Sequence, residues 1–294
     1  MTLNSIARRF RIDDLDKFRL SDCDPAECQG LDIDKSDAKA LLAEGIERLS
    51  DLQARLYASD RWSVLIVLQA MDAAGKDSLI KHVMTGLNPQ GVEVHPFKQP
   101  SAEELDHDFL WRAAKRLPER GRINIFNRSY YEEVLVVRVH PELLERQRLP
   151  ETVVGKDIWQ QRFDDIRAFE RHLARNGTRI LKFFLHMSKE EQRKQFLERI
   201  EEPAKRWKFS MGDVAERKLW DKYMAAYEDM IRHTSQPEAP WFVVPADKKW
   251  FTRMVVAGAL VQELESLKLE YPKVEGAALK ELQEAAKALK AEKG

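Results

Sequence analysis

Residues 64–78 read VLIVLQAMDAAGKDS: an apolar, β-branched run that breaks into a small-residue loop carrying Asp72, Gly75 and Lys76, after which a helical pattern begins. A strand, a tight loop and a helix in that order read here as a phosphate-binding loop, with an ordinary strand-to-helix turn as the plainer alternative. Such a site needs backbone N–H groups that approach an oxyanion closely, a helix N-terminus whose dipole favours negative charge, and a lysine that reaches a terminal phosphoryl group. The spacing matches G-x-x-x-x-G-K-[ST] in part, because Ala70 occupies the first glycine position and Asp77 stands where a magnesium-binding hydroxyl is usual. Asp72 is also unusual: an acid among phosphate-cradling amides repels phosphate unless a cation sits between them, and magnesium accepts both kinds of oxygen.

Outward from this loop the pattern alternates. A helical periodicity from Asp37 to just before Ser59 feeds the strand at 63–69, and the loop helix at 76–87 stops at Gly86 and Asn88-Pro89. A short strand at 91–95 leads to Phe97-Lys98-Gln99-Pro100, and Ser101 with Glu104 reads as a capping box opening one helix through Ala113. Further strands are expected at 123–126, 179–186 and 241–244, with helices at 157–175, from Ser188 to Ile200, at 212–232 and at 248–267. Strands separated by helices predict a parallel sheet with helices on both faces, where ligands gather beyond the carboxyl ends of strands. The chemically suggestive residues all follow strands, at 70–78, 96–100, 127–133 and 187–208.

Composition excludes some classes. The 294 residues suit one large α/β domain, and 49 basic side chains cancel 49 acidic ones, so no global field marks a nucleic-acid or membrane-surface protein. An anionic ligand then needs a local basic cluster. Two cysteines, Cys23 and Cys28, are too few for a disulfide scaffold or a zinc site, which favours a reducing cytoplasm. No run is long and apolar enough for a membrane span, and the charged Met1–Arg11 stretch does not read as a signal peptide. Residues 1–34 read as an irregular arm, 35–267 as the body with a lid at about 188–210, and 268–294 as a charged, exposed helical tail.

Two segments strengthen the phosphate reading. Asn127-Arg128-Ser129 ends an apolar strand, and an arginine there can contact phosphoryl oxygens bidentately; the plainer alternative is an ion pair of Arg128 with Glu132 or Glu133. From Lys189 to Lys208, basic residues cluster around Pro203, either as a solvated helix face or as a mobile lid that closes on a transferring phosphate. Trp207 could stack on a base or sit in the core. Trp220, Tyr223 and Tyr227 recur at helical spacing, which favours a packed face, and the histidines His82, His107, His140 and His186 show no metal-ligand spacing.

Asp72-Ala73-Ala74-Gly75-Lys76-Asp77, Phe97-Lys98-Gln99-Pro100, His107-Asp108-Phe109-Leu110-Trp111-Arg112, Asn127-Arg128-Ser129-Tyr130-Tyr131-Glu132 and Glu202-Pro203-Ala204-Lys205-Arg206-Trp207-Lys208 resemble the successive motifs of the family-2 polyphosphate kinases, in that family's order, over roughly residues 35–265. Glu238-Ala239-Pro240-Trp241 fits as well. The resemblance implies a thymidylate-kinase-like P-loop kinase fold with a helical lid, and reversible phosphoryl transfer between inorganic polyphosphate and AMP, ADP or ATP with Mg2+ or Mn2+. It puts the Walker A acid and lysine at Asp72 and Lys76, the Walker B arginine at Arg128 and the lid arginine at Arg199, the expected catalytic set. The expected phosphate and nucleotide contacts are Ala73, Ala74, Gly75, Lys76, Asp77, Ser78, Lys81, Lys98, Asn127, Arg128, Arg193, Lys205, Arg206 and Lys208.

Asn127 departs from the Asp-Arg-Ser of many members and resembles the subgroup acting on both AMP and ADP. It removes one expected carboxylate, so the metal is expected on Asp72, with Glu132, or less so Glu133, in support. An ATP-dependent kinase and a non-enzymatic nucleotide-binding module are the alternative readings. A dimer or tetramer, with no nucleic-acid or membrane partner, completes the expectation.

Overall fold

The computed structural model describes residues 3–28 and 35–292. Five strands form one sheet: β1 (Ser63–Ala70), β2 (Val92–Pro96), β3 (Ile123–Asn127), β4 (Thr178–His186) and β5 (Trp241–Pro245), in the order β2-β3-β1-β4-β5. Every pairing is parallel. Helices α1 (Leu3–Arg8), α2 (Lys35–Ser59), α3 (Lys76–Val83), α4 (Ala102–Leu105), α5 (Trp111–Ala114), α6 (Val136–Val139), α7 (Glu142–Glu145), α8 (Ile158–Arg175), α9 (Lys189–Glu201), α10 (Met211–Lys218), α11 (Trp220–Thr234), α12 (Lys249–Ser266) and α13 (Gly276–Ala291) complete the chain.

All eight residues of β1 are buried, which is why its sequence is a continuous apolar run and not an alternating one. Side chains leave the sheet in alternation. Leu181, Phe183 and Leu185 of β4 enter a core shared with α1, α2, α3 and α12, whereas Ile180 and Phe184 enter the opposite core with α8 and α11. Leu68 pairs with Asn127 and Ala70 with Leu185, so the loops after β1, β3 and β4 leave the same edge of the sheet. The chain crosses from β3 past β1 to β4, and the crevice at such a reversal is where ligands bind.

Three local expectations change. The single helix expected from Ser101 to Ala113 is two short ones, because Asp108 accepts a hydrogen bond from the Leu110 N–H (2.9 Å) and starts a new turn; the capping box at Ser101 is present. The helix expected over 212–232 is also two, α10 and α11, joined at Leu219. Residues 3–12 are not irregular: Leu3, Ile6, Ala7 and Phe10 lie on one face of the α1 segment, and all four are buried. Phe10 meets Phe251 edge-on at 5.6 Å, and Arg11 bridges antiparallel to Phe242, covering the free edge of β5. Residues 1–2 and 29–34 of the expected arm lie outside the described residues. Among the described residues, no helix is long and apolar enough to cross a membrane.

Candidate active site

The loop after β1 turns into α3 through two left-handed residues, Ala73 (φ 70°) and Gly75 (φ 94°), and Gly75 directly precedes the helix. That conformation suits glycine and costs alanine energy, so the loop shape is imposed at Ala73 by its surroundings. Lys76 folds back and donates to the Ala70 carbonyl (3.0 Å). Burial pushes its pKa down to about 8, and the Arg128 charge adds to this against Asp72, Glu132 and Asp77.

Arg128 arrives from the next strand and closes the site. It too is left-handed (φ 64°), and its N–H donates to the Leu68 carbonyl of β1 (3.0 Å). Its guanidinium donates to Asp72 (2.5 Å) and lies 3.8 Å from Glu132. The ion pair with Glu132 is therefore present, and the guanidinium also lies against the loop after β1. Burial works against the charge of Arg128, but Glu132 and Asp72 outweigh it and raise its pKa. Burial raises the Glu132 carboxyl, with Arg128 and Lys76 opposing and Asp72 adding to the shift. Asn127 Nδ2 donates to Asp77 Oδ1 (2.8 Å), so the two departures from the common motifs bind each other.

The loop after β4 supplies the third side. Gln192 Nε2 of α9 donates to the Asp72 carbonyl (3.0 Å), and Arg217 Nη1 of α10 donates to Gln192 Oε1 (3.0 Å). Arg199 lies 4.0 Å from Asp213 of α10, whose carboxyl is raised by burial and then by the nearby charge of Asp72. Beside Arg128 opens a cavity of about 480 Å³, bounded by Phe97, Arg112, Tyr130, Glu132, Val136 and His140. Its size and mostly apolar wall with a few charged groups suit a nucleotide-sized ligand.

Other expected residues fall elsewhere. Glu133 lines the same cavity, but its carboxylate accepts from Arg162 (3.0 Å) and Gln147 (2.7 Å), whereas Glu132 is the one beside Arg128. Ser78 Oγ accepts from Arg253 (3.1 Å) at the start of α3, Lys81 is exposed further along that helix, and Lys98 is an exposed residue on the cavity rim. Four cations of the expected lid have their partners within that same segment: Arg193 on Glu190, Lys205 on Glu198 and Glu202, Arg206 on the Ile200 and Glu201 carbonyls, and Lys208 over the Trp207 ring. Trp207 is 78% exposed, which removes the core alternative for it; Trp220, Tyr223 and Tyr227 are buried as a packed face.

Sequence reasoning did not single out Gln69, Arg112, Gln192, Asp213 or Arg253. Gln69 had a signal, as a polar residue at the end of an apolar strand; its Nε2 donates to Ser129 Oγ (3.1 Å) and ties β1 to the Arg128 loop. Arg112 stood in a quoted motif without a role; it lines the cavity, 5.0 Å over the Phe97 ring, and donates to the Lys98 carbonyl (2.8 Å).

Among the described residues no group of three or more His, Cys, Asp or Glu side chains could hold a metal. Asp72 and Glu132 nevertheless flank Arg128 together, and two hard carboxylates completed by phosphate oxygens and water are what magnesium takes. The donor set therefore fits that ion when a phosphorylated substrate shares it.

Residues 32–272 match the family model described as Polyphosphate kinase 2. The chain is 52% identical over 276 residues to the ADP-polyphosphate phosphotransferase of Rhodopseudomonas palustris, covering 94% of this chain and 95% of that one. It is 46% identical over 273 residues to the AMP/ADP-polyphosphate phosphotransferase of Meiothermus ruber, covering 93% and 98%. Its structure superposes on the crystal structure of Polyphosphate Kinase 2 from Arthrobacter aurescens with a TM-score of 0.88 and 39% identity, over 98% of each chain.

Proposed function

The chain belongs to the polyphosphate kinase 2 family, and on that premise we propose that it is a polyphosphate:nucleotide phosphotransferase, moving the terminal phosphoryl group of inorganic polyphosphate reversibly to AMP and ADP. The observation that carries this reading is the Asp72–Arg128 contact at 2.5 Å, which joins the loops after β1 and β3 beside a nucleotide-sized cavity. The names of the relatives support the donor and the acceptors, and they do not favour the ATP-dependent kinase or the non-enzymatic module.

In this proposal the amides of Ala73–Lys76 and the α3 N-terminus hold the terminal phosphate, and Lys76 exchanges the Ala70 carbonyl for a phosphoryl oxygen. Arg128 spans donor and acceptor, and Arg199 approaches from α9 as the lid closes, so that charge on the transferring group is met by fixed cations. The cavity beside Arg128 receives the acceptor nucleotide, with Lys98 at its rim. Asp72 and Glu132 would hold Mg2+ or Mn2+, which supplies charge neutralisation on the attacking and leaving oxygens. Asn127, whose amide is held by Asp77, goes with the double acceptor range of the subgroup it resembles. Catalysis is then positioning and electrostatics, with little covalent work for the protein.

The lid cations Arg193, Lys205, Arg206 and Lys208 enter only on lid closure, when substrate phosphates compete with their present carboxylate, carbonyl and, for Lys208, aromatic partners. A homo-oligomer is part of the proposal. It is supported by α13, which is exposed throughout and carries Leu279, Leu282 and Leu289 along one stripe, and light scattering on the full chain tests it.

The deciding experiment offers AMP or ADP with magnesium and, in parallel, polyphosphate or ATP as donor. Product with polyphosphate is expected; product only with ATP, or none with either donor, overturns the reading.

A further inference from the structure

From Ile180 to Leu185, β4 is apolar on both faces except for Lys182, which sits at mid-strand between Ile180 and Phe184 with no solvent exposure. Burying an ammonium there costs far more than an aliphatic side chain would, and a buried ion pair gives stability poorly in return. All three of its N–H bonds are nevertheless used. They go to Glu170 Oε2 of α8 (2.6 Å), to the Tyr131 hydroxyl (2.9 Å) and to the Thr234 carbonyl at the end of α11 (2.7 Å). Glu170 is equally buried, and its other oxygen accepts from both the Tyr130 hydroxyl (2.8 Å) and the Tyr131 hydroxyl (2.7 Å). Trp241 of β5 closes the group, with its ring 5.2 Å from the ammonium and its N–H on Thr234 Oγ1 (2.9 Å).

The placement of the two tyrosines gives the network its meaning. They open the single-turn helix Tyr130–Val134, separated from the left-handed Arg128 by Ser129 alone and directly before Glu132. A left-handed arginine persists only where the chain on each side is fixed. On one side Arg128 N–H is held by the Leu68 carbonyl of β1. On the other, two adjacent phenols share one carboxylate, which is itself locked by a lysine from the neighbouring strand.

We infer that Glu170 and Lys182, with the Tyr130 and Tyr131 hydroxyls, are positioning residues: a buried anchor that fixes the Arg128–Glu132 loop so that the guanidinium and the carboxylate face Asp72. Packing alone would leave this anchor dispensable, since rings without hydroxyls and aliphatic chains fill the same volume. The inference rests on the proposed function for its effect on turnover and stands apart from it for its effect on the loop.

Tyr130→Phe is the cleanest variant, because Glu170 keeps the Tyr131 donor and Lys182 keeps all three acceptors. Its kcat is expected to fall about tenfold or more with KM for both substrates nearly unchanged, the mark of a misplaced catalytic group. In an Arg128→Lys background the same substitution should cost less than about twofold, because the residue it acts through has already lost its geometry. The paired variant Glu170→Leu/Lys182→Met, which removes both buried charges together with the acceptor that the two hydroxyls share, should show the same kcat loss.

Hydrogen exchange at residues 129–133 supplies a readout without turnover. It is expected to quicken about tenfold in Tyr130→Phe while the β1 and β4 amides stay unchanged. Unchanged exchange overturns the inference, as does wild-type kcat or an equal fractional loss in both Arg128 backgrounds. A wild-type protein that makes no product from polyphosphate sinks the functional reading alone, and exchange still decides the anchor.

Discussion

Lys76 carries its charge into a poorly solvated corner of the phosphate loop, so pH controls its grip on a polyanion. Burial and Arg128 hold its pKa at about 8 against the ordinary 10.5. As pH rises through about 8 the free protein loses the ammonium, and kcat/KM for polyphosphate falls. Bound polyanion favours the charged form, so the corresponding limb on kcat lies at higher pH. Lys76→Arg, whose side chain stays charged throughout, removes the limb near 8 even where its turnover is low; pH profiles of both parameters check this. The same shift acts on stability with a definite sign. The folded chain sheds this proton before the unfolded one does, so the substrate-free protein gains stability between about pH 8 and 10.5, and Lys76→Met abolishes that gain in urea titrations. Asp72→Asn tests the partner charge: it removes the carboxylate that holds Arg128 and is proposed to hold the metal, without touching the core. Turnover is expected to fall about a hundredfold or more while the circular dichroism spectrum is retained.

At the scale of elements, helix α9, in the expected lid segment, is lightly anchored beside the site. It buries only Gln192 and Phe196, so its stability leans on its N-terminus, where Ser188 Oγ accepts from the Glu191 N–H (3.0 Å) and Asp247 accepts from the Ser188 N–H (2.8 Å). Ser188→Ala removes the cap, at a cost of about 1 kcal/mol. The expected outcome is local: proteolysis and hydrogen exchange within 189–201 accelerate while the sheet amides and the main thermal transition hold. Elements of this kind were readable in the sequence where burial or a cap wrote a local signal. The β1 run announces a strand covered on both faces, and Ser101 and Ser188 announce helix starts. The break between α10 and α11 carries no such mark, since Leu219 is an ordinary helix former in an unbroken amphipathic pattern. The site divides the same way. Asp72, Lys76 and Arg128 sit in contiguous motifs after strands, whereas Gln192, Asp213 and Arg253 reach the loop only because the sheet order brings α9, α10 and α12 there. Lys182 is the extreme case, a charge inside an apolar run whose partners lie twelve, fifty-one and fifty-two residues away.

At the scale of the whole molecule, the chain's beginning is built into its end. The α1 helix packs on α12, and the segment after it pairs with β5: Ile12 N–H donates to the Trp241 carbonyl and Val243 N–H to the Phe10 carbonyl, both at 2.9 Å. The charges of Ala7-Arg8-Arg9-Phe10 disguise this segment in sequence, although Leu3, Ile6, Ala7 and Phe10 already have helical spacing. Two glycines measure how close the contact is. A β-carbon on Gly258 of α12 would stand 2.4 Å from the Leu3 carbonyl oxygen and 2.8 Å from its carbon, both backbone atoms that move only if α1 lifts as a whole. One on Gly45 of α2 would stand 2.4 Å from Leu3 Cδ1, the far end of a side chain that can rotate away. Gly258→Ala is therefore expected to cost stability on the scale of overpacking, about 1–3 kcal/mol. Gly45→Ala costs clearly less, and a gain in helix propensity offsets part of it. Lifting α1 also uncovers the edge of β5, so Gly258→Ala alone should aggregate on mild heating. Turnover of its folded fraction should match wild type, because Asp72, Lys76 and Arg128 are held by β1, β3 and α9. Urea unfolding, light scattering during a thermal ramp and activity per folded molecule read these three effects separately. Equal destabilisation by the two alanines would show that Leu3 yields as a unit and that α1 is not seated on the α12 backbone.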